Sequence, residues 1–104
     1  MILWIGINGA VEVIDNVKGE PTIKQLYDWV TTDVVEIPGN GFKVNGEDIQ
    51  FIVDEEGKIK DKPVNWFATT LYNSVLMADP RGLQAGRDTL NGDVVVLTGK
   101  HLLK

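Results

Sequence analysis

The stretch at residues 51–76, FIVDEEGKIKDKPVNWFATTLYNSVL, decides the fold of this chain. It opens on three consecutive β-branched or aromatic residues, 51–53, which are typical of a buried strand. The acidic run at residues 54–57 ends that strand. Gly57 is predicted to be the pivot of a tight turn, because glycine adopts positive φ without a steric penalty. The sequence therefore predicts a strand followed by a sharp acidic turn.

Three lysines follow the turn at alternate positions, Lys58, Lys60 and Lys62. In an extended return segment they share one face, and Ile59 lies on the other. Their predicted role is to neutralise the acids across the turn, at about a few tenths of a kcal/mol for each exposed pair.

The acidic turn also resembles the start of a calcium loop. An EF-hand loop needs oxygen ligands at alternate positions, glycine at the sixth position and glutamate at the twelfth. Counted from Asp54, the glycine is fourth and Asn65 is twelfth, so the spacing does not fit. The sequence predicts no metal and no cofactor here, and favours a solvated turn.

A helix at about residues 65–77 closes the stretch. Pro63 keeps the residue before it out of helical geometry, and Asn65 is a suitable N-cap. Apolar residues then recur at the helical period in a broad stripe: Phe67, Ala68, Leu71, Tyr72, Val75 and Leu76. Asp79-Pro80 ends the helix. The stripe is expected to dock onto a sheet.

Residues 1–14 are predicted to form an N-terminal hairpin. Two apolar runs flank Asn8-Gly9. An Asn-Gly pair in that setting is the strongest short-range hairpin signal, because both turn residues need positive φ. Trp4 is expected in the core or at its edge.

A first helix is predicted at about residues 22–31. Thr22 and Gln25 match a capping box, and apolar residues follow at the helical spacing, Ile23, Leu26, Tyr27 and Val30. Trp29 lies off this stripe. Two interpretations are open for it: it covers an edge of the core, or it is an exposed aromatic anchor for a partner.

The remaining strands are predicted at residues 34–37, 42–44, 49–53 and 94–97. Asn45-Gly46 predicts a second hairpin or a wider turn. The run at 39–41 lacks the third glycine and the following helix of a dinucleotide fingerprint. The continuous apolar run at 94–97 is typical of a central strand. The predicted fold is α+β, a mainly antiparallel sheet of five or six short strands with both helices packed on one face.

Residues 79–91 form a long predicted loop, and such loops are usually functional or mobile. Arg81 and Arg87 lie among its glycines, so backbone amides and two arginines could cradle a phosphate or a nucleotide. The alternative is a flexible surface loop. Residues 100–104 are predicted to form a frayed tail, and no catalytic role is expected for its His101.

The composition is that of one globular domain, residues 1–104, with 43% hydrophobic and 24% charged residues. The absence of cysteine excludes disulfides, thiolate zinc sites and cysteine nucleophiles. No apolar run approaches the ~20 residues of a membrane span, and the N-terminus lacks the basic start of a signal peptide. The chain is therefore expected to be cytoplasmic and not to bind a membrane.

The net charge of −5 is unevenly distributed. Residues 1–57 carry eleven acids and three bases, and residues 58–104 carry four acids and seven bases. An acidic surface argues against binding duplex DNA, which relies on basic contacts to phosphate. The polarised charge could steer a basic protein partner, or serve solubility alone, and the second interpretation is favoured.

Several of these residues together resemble a family of small bacteriophage-encoded proteins that carries a domain of unknown function. The shared pattern is a Glu-Glu-Gly turn, a proline and an asparagine before the helix, then Ala68-Thr69-x-Leu71-Tyr72 and Gly92-Asp93-Val94-Val95-Val96 before Gly99. The likeness covers about residues 22–99. Asp54 stands where the family usually has asparagine, and residues 1–14 and 79–91 depart from its compact pattern. The resemblance implies a phage or prophage origin and action inside the infected cell, and it carries no enzymatic activity with it.

The predicted function is that of a non-enzymatic accessory protein that binds a host macromolecule, a protein in the first place, and modulates it. The alternative is a small-molecule or nucleotide binder that uses the 79–91 loop. With His101 in the tail, no serine–histidine–acid arrangement is expected. The candidate ligand or partner contacts are Trp29, Lys58, Lys60, Arg81 and Arg87.

Overall fold

An antiparallel sheet of six strands organises the computed structural model, which describes residues 1–104. The strands are β1 (Ile2–Ile5), β2 (Val11–Ile14), β3 (Val35–Glu36), β4 (Phe42–Val44), β5 (Glu47–Asp54) and β6 (Val94–Thr98). The helices are α1 (Ile23–Val30) and α2 (Trp66–Ala78). The predicted α+β class is confirmed. The longest helix has 13 residues, and no helix is long and apolar enough to cross a membrane.

The strand order is β2-β1-β6-β5, and the far edge of β5 pairs with β4 along its first part and with β3 along its last part. β6 lies between β1 and β5, with Val95 opposite both Trp4 and Ile52. The predicted central position of the run at 94–97 is confirmed. Its side chains are buried on both faces, as expected for a continuous apolar strand.

The two helices lie on opposite faces of the sheet, so the prediction that both cover one face is wrong. One face packs on α1 through Ile2, Ile52, Val95 and Leu97, which contact Leu26 and Val30. The other packs on α2 through Ile5, Phe51, Val53, Val94 and Val96, which contact Ala68, Tyr72, Val75 and Leu76. Neighbouring strand residues point to opposite faces. Consecutive apolar residues at 51–53 and 94–97 therefore need a cover on both sides.

Three aromatic rings join β4, β5 and α2 in the larger core cluster. The ring centroids of Phe51 and Tyr72 are 5.3 Å apart, and those of Phe42 and Tyr72 are 5.5 Å apart, both in edge-to-face geometry. Such a pair contributes about 0.5–1.5 kcal/mol beyond the area that it buries. This cluster fixes the position of α2 relative to the sheet.

Helix α2 begins as predicted, because the Asn65 side-chain oxygen accepts a hydrogen bond from Ala68 N at 3.1 Å. The buried stripe differs from the prediction: Thr69 lies inside it, and Phe67 is half exposed. The reason is the 79–91 loop, which returns over this side of the helix. Its Leu90 N donates to the Thr69 hydroxyl at 3.0 Å.

Both predicted hairpins form, but their turns differ. Asn45 and Gly46 make a two-residue turn with φ of 51° and 81°, as the Asn-Gly rule requires. At residues 6–10 the loop is wider, and only Gly9 has positive φ. There the Asn8 side-chain oxygen accepts from Ala10 N at 3.0 Å. The two-residue turn expected at Asn8-Gly9 is therefore wrong.

The segment after β5 is a series of tight turns, so the predicted extended return of lysines is wrong. Lys60 N donates to Glu56 O, and Lys62 N donates to Gly57 O, both at 2.9 Å. Gly57 does not have positive φ. A Cβ at Gly57 would lie 2.7 Å from Asn91 O, so glycine is needed there for close approach of two backbones.

The C-terminal residues dock on the fold, so the predicted frayed tail at 100–104 is wrong. His101 is buried, and its Nδ1 lies 2.7 Å from Gly19 O. Leu103 N donates to the Gln50 side chain at 2.7 Å, and the Gln50 amide donates to Leu103 O at 3.0 Å. Leu102 and Leu103 also pack against the α1-side core.

Candidate functional site

Asp54 is the most buried carboxylate of the predicted acidic turn. Its Oδ2 lies 2.7 Å from Lys62 Nζ and 3.2 Å from Lys60 Nζ, and its Oδ1 accepts from Glu56 N at 2.9 Å. Burial acts to raise its pKa, but these hydrogen bonds outweigh burial and lower the pKa to about 2. Glu55 and Glu56 are exposed, as predicted. The prediction of a solvated turn is wrong for Asp54, because its side chain lies on the α1 face of the sheet, like that of Ile52.

The two lysines also reach the end of α1. Lys62 Nζ donates to Thr31 O at 2.7 Å, and Lys60 Nζ donates to the Thr32 hydroxyl at 3.1 Å. Thr31 has φ of 60° at the helix C-cap, where a free carbonyl needs a donor. We name these five residues the Asp54 clamp: Thr31, Thr32, Asp54, Lys60 and Lys62. The clamp ties three chain segments together, so its cations serve the fold.

The other cations proposed for a phosphate cradle do not converge. Lys58 forms an ion pair with Asp88, and Arg87 Nη1 donates to Gln84 Oε1 at 2.8 Å. Two glycine amides of the loop are also engaged: Gly82 N donates to Asp79 O at 3.1 Å, and Gly86 N to Asn73 Oδ1 at 2.9 Å. Lys58 thus reaches the 79–91 loop at Asp88, next to Arg87 in the chain, whereas Lys60 belongs to the Asp54 clamp, so the proposed cations do not share one set of partners.

Arg81 is fixed at the end of α2 by three partners. Its Nε donates to Asp79 Oδ1 at 2.9 Å, and its Nη2 donates to Asp79 Oδ2 at 3.0 Å and to Gly41 O at 3.1 Å. Its guanidinium carbon also lies 5.7 Å from the centre of the Phe42 ring. The hydrogen bonds from Arg81 hold the pKa of Asp79 well below its usual range. Asp79 in turn accepts from Lys43 N at 2.9 Å, which joins α2 to β4.

A groove of about 870 Å³ opens beside Arg81. Its walls come from residues 40–43, 48–50, 79–81, 99–100 and 102–104, and we call it the basic groove. Four positively charged side chains line it, Lys43, Arg81, Lys100 and Lys104. The two acids in its wall are both paired, Asp48 with Lys43 at 3.2 Å and Asp79 with Arg81. Sequence reasoning missed this groove because four separate segments build it.

The side of α2 that faces away from the sheet is uncharged and exposed. We call it the α2 outer face: Trp66, Phe67, Thr70, Ser74 and Met77. The exposed fractions of Trp66, Phe67 and Met77 are 68%, 52% and 69%. Thr70 and Ser74 turn their hydroxyls back to helix carbonyls, Trp66 O and Thr70 O. The whole helix, WFATTLYNSVLMA, contains no charged residue, which is the signal in the sequence that could have identified this face.

Trp29 is half-buried and packs against the α1-side core, as the first of its two interpretations predicts. Trp4 packs beside it and donates from Nε1 to Trp29 O at 2.9 Å. The tryptophan with a largely exposed ring is therefore Trp66 and not Trp29.

The buried side-chain nitrogen and oxygen atoms all have hydrogen-bond partners. No group of three or more histidine, aspartate or glutamate side chains lies close enough together to hold a metal ion. Comparison of the chain with protein-family models, with curated proteins and with solved structures finds no match.

Proposed function

We propose that this chain is a non-enzymatic binding protein that docks on a protein of a bacterial host through the α2 outer face and modulates it. The observation that supports this proposal is the uncharged, aromatic surface of a helix that the rest of the chain leaves open. The partner presents an apolar pocket or groove that takes the Trp66 ring.

The composition of the α2 outer face is that of an interface centre. Interface cores are depleted in charged residues and enriched in aromatic residues and methionine, and tryptophan is frequent among the residues that dominate binding energy. Solvated helix faces normally carry charged side chains. Here the polar positions are Thr70 and Ser74, whose hydroxyls already bond to the backbone. A partner can therefore cover this face without burying an unpaired charge.

Exposed apolar residues also lie on the edge strand at the α2 side of the sheet, and we propose that they add to the contact area. The Asn65 side chain, one residue before Trp66, donates to Ile5 O at 2.9 Å. Val11 lies opposite Ile5 on the edge strand β2, and Val11 and Val13 are both exposed. A helix of 13 residues is about 20 Å long, and a specific interface buries about 800 Å² on each partner. The hairpin edge supplies the additional area that α2 alone does not.

The buried titratable groups support a binding role over a catalytic one. Asp54 and Asp79 are each engaged by a cation and by backbone amides, and His101 is buried against Gly19 O. A general acid or base needs a position within hydrogen-bond reach of a substrate. Neither carboxylate offers a free position of that kind, and of the three groups only His101 has an atom, Nε2, that makes no hydrogen bond within the chain.

The resemblance to the phage-encoded family directs the search for the partner to bacterial cytoplasmic proteins. The test is capture from a bacterial lysate with three tagged proteins, the wild type and the variants Trp66→Ser and Ile59→Ser. Ile59 is 82% exposed and lies outside the α2 outer face, so it is the matched control for loss of an exposed apolar side chain. We expect the wild type and Ile59→Ser to retain the same partner, and Trp66→Ser to lose it.

With the purified partner, calorimetry should show a Kd about 30-fold weaker for Trp66→Ser, since truncating a central aromatic typically costs about 2 kcal/mol or more. Equal affinity of Trp66→Ser and Ile59→Ser would refute the proposal. Light scattering provides a second check. A wild-type dimer that Trp66→Ser converts to a monomer would make this face a contact between copies of the chain, and the proposed host partner would then be wrong.

A further inference from the structure

We infer that the basic groove binds a small organic anion that carries a phosphate or carboxylate group on an apolar body. This site is separate from the α2 outer face, and it does not depend on the proposed partner. It also differs from the phosphate cradle predicted at residues 79–91, since of those residues only 79–81 line it.

The charge of the groove is opposite to that of the whole chain. The chain has a net charge of −5 with ten cationic side chains, and four of the ten line this one groove. Only two of the fifteen acids lie in its wall, and each forms an ion pair there. Lys100 and Lys104 make no ion pair, and the Glu20 carboxylate, which accepts from Lys104 N at 2.8 Å, does not line the groove. A concave surface of one sign concentrates the field and attracts ligands of the opposite sign.

Arg81 adds a donor that is fixed in place before any ligand arrives. Asp79, Gly41 O and the Phe42 ring together set the orientation of its guanidinium group. These contacts use Nε and Nη2, whereas Nη1 makes no hydrogen bond within the chain. A donor held in one orientation loses little entropy on binding, and charged hydrogen bonds to phosphate or carboxylate are among the stronger ones.

The two unpaired lysines are carried by a docked segment. Leu103 exchanges two hydrogen bonds with the Gln50 side chain, and Lys104 N donates to Glu20 Oε1 at 2.8 Å. On the other side of Leu102, the contact of His101 Nδ1 with Gly19 O holds the segment against the fold. Lys100 and Lys104 therefore lie at the rim of a groove of defined shape.

The wall of the groove includes several apolar side chains, which is why an organic body is part of the inference. Ile49, Pro80, Leu102 and Leu103 contribute to its wall. The volume of about 870 Å³ lies within the roughly 300–1,000 Å³ that is usual for small-molecule sites. A nucleic acid would need a longer run of unpaired cations to match successive phosphates. A compact anion with one or two charged groups fits two lysines and one arginine.

The test is a titration of the ¹⁵N-labelled full chain, followed by amide chemical shifts, with inorganic pyrophosphate, ADP and octanoate. All three probes carry an anionic group. Pyrophosphate has no organic body, ADP has an aromatic base on a ribose, and octanoate has an aliphatic chain. We expect saturable shifts at residues 40–43 and 99–104 with ADP or octanoate. Stronger binding of ADP would indicate a ligand with a flat aromatic body, and stronger binding of octanoate a ligand with an aliphatic body.

The double variant Lys100→Gln/Lys104→Gln should weaken binding of the more strongly bound probe about tenfold, because each exposed ion pair contributes a factor of about 3. Lys18→Gln/Lys24→Gln is the matched control, since both lysines are exposed, unpaired and outside the groove. Its affinity should equal that of the wild type. The amide spectra of both variants report directly whether the fold is kept.

Three results would overturn the inference. The first is the absence of saturable shifts with all three probes. The second is an equal loss of affinity in the groove variant and the control variant. The third is binding of pyrophosphate alone, which would remove the organic body from the inference and leave a site for inorganic anions only.

Discussion

Replacing Asp54 with asparagine tests whether the Asp54 clamp stabilises the fold or contributes little to its stability. The substitution keeps the size of the side chain and an acceptor for Glu56 N, but it removes the negative charge. Lys60 and Lys62 then lose their shared counter-ion, and the amide group presents its own N–H groups to two ammonium groups. The links from these lysines to Thr31 and Thr32 are weakened at the same time.

The magnitude follows from the exposure of the three side chains. The Asp54 carboxylate is fully buried, whereas the Lys60 and Lys62 side chains are 37% and 19% exposed. Removing one partner of a fully buried pair costs about 3–5 kcal/mol. Because both ammonium groups can regain water, we expect a loss of about 2 kcal/mol at pH 7. For a domain of this size that loss lowers the Tm by roughly 10 °C.

The pH dependence of this loss provides an independent check. The folded pKa of Asp54 is about 2, below its ordinary value of 3.8, so the unfolded chain binds the proton more readily. The stabilisation is therefore complete above the unfolded pKa and is lost as the pH falls from about 5 towards 2. After allowance for solvent screening, the shift in pKa corresponds to about 1–2 kcal/mol. The difference between wild type and Asp54→Asn should shrink by about this amount on acidification.

Urea denaturation followed by tryptophan fluorescence at pH 7 and at pH 3 measures both quantities. The control is Glu56→Gln, since Glu56 is half-exposed and lies 3.8 Å from Lys60. That variant should unfold within about 0.5 kcal/mol of the wild type. The reasoning fails if Asp54→Asn is as stable as Glu56→Gln at pH 7, or if its deficit is the same at both pH values.

Three further predictions use the same denaturation assay. Asn65→Ala should cost about 3 kcal/mol, because it removes a helix cap and a buried amide that donates to Ile5 O and Gly92 O. Asn65→Asp keeps the cap acceptor and should cost at least as much, and a near-neutral effect would refute the role of the donor. Gly57→Ala should cost about 2 kcal/mol, because its Cβ would meet Asn91 O, whereas Gly19→Ala has open space and should be neutral within about 0.5 kcal/mol. Trp66→Ser should leave stability unchanged within about 0.5 kcal/mol, since its ring is mostly exposed, and a larger loss would mean that the ring packs on the fold.

The elements that sequence predicted well are those with local causes. The Asn45-Gly46 turn forms because both residues accept positive φ, and the α1 capping box forms because Thr22 and Gln25 exchange hydrogen bonds at 3.1 and 2.8 Å. Asn65 caps α2 for the same kind of reason. In each case the interacting groups lie within three residues of each other. Residue type and spacing are then sufficient to fix the structure.

The elements that sequence predicted badly depend on partners far along the chain. His101 is buried because Gly19, 82 residues earlier, offers a carbonyl, and the 79–91 loop covers Thr69 because Leu90 is buried beside it. Nothing local distinguishes such residues from a frayed tail or a mobile loop. The opposite placement of the helices is different, since the continuous apolar run at 51–53 already requires two covered faces. The sequence therefore contains the information that places a helix on each face.

The roles of charged residues also depend on whether their partners are near or far along the chain, and this dependence bears on the proposed function. Asp54, Glu55 and Glu56 are neighbours of similar type, but Asp54 is the last residue of β5 and points to the same face as Ile52. The buried Asp54 carboxylate forms an ion pair with Lys60, and Asp88 forms one with Lys58. Both lysines were predicted from the sequence as ligand contacts. A cation that neutralises a buried acid is not free to recognise a ligand. In the basic groove, Lys100 and Lys104 have no such partner, although the sequence predicted both in a frayed tail. The basic groove is proposed on this ground, because Lys100 and Lys104 remain unpaired there while Lys58, Lys60 and Lys62 pair with acids.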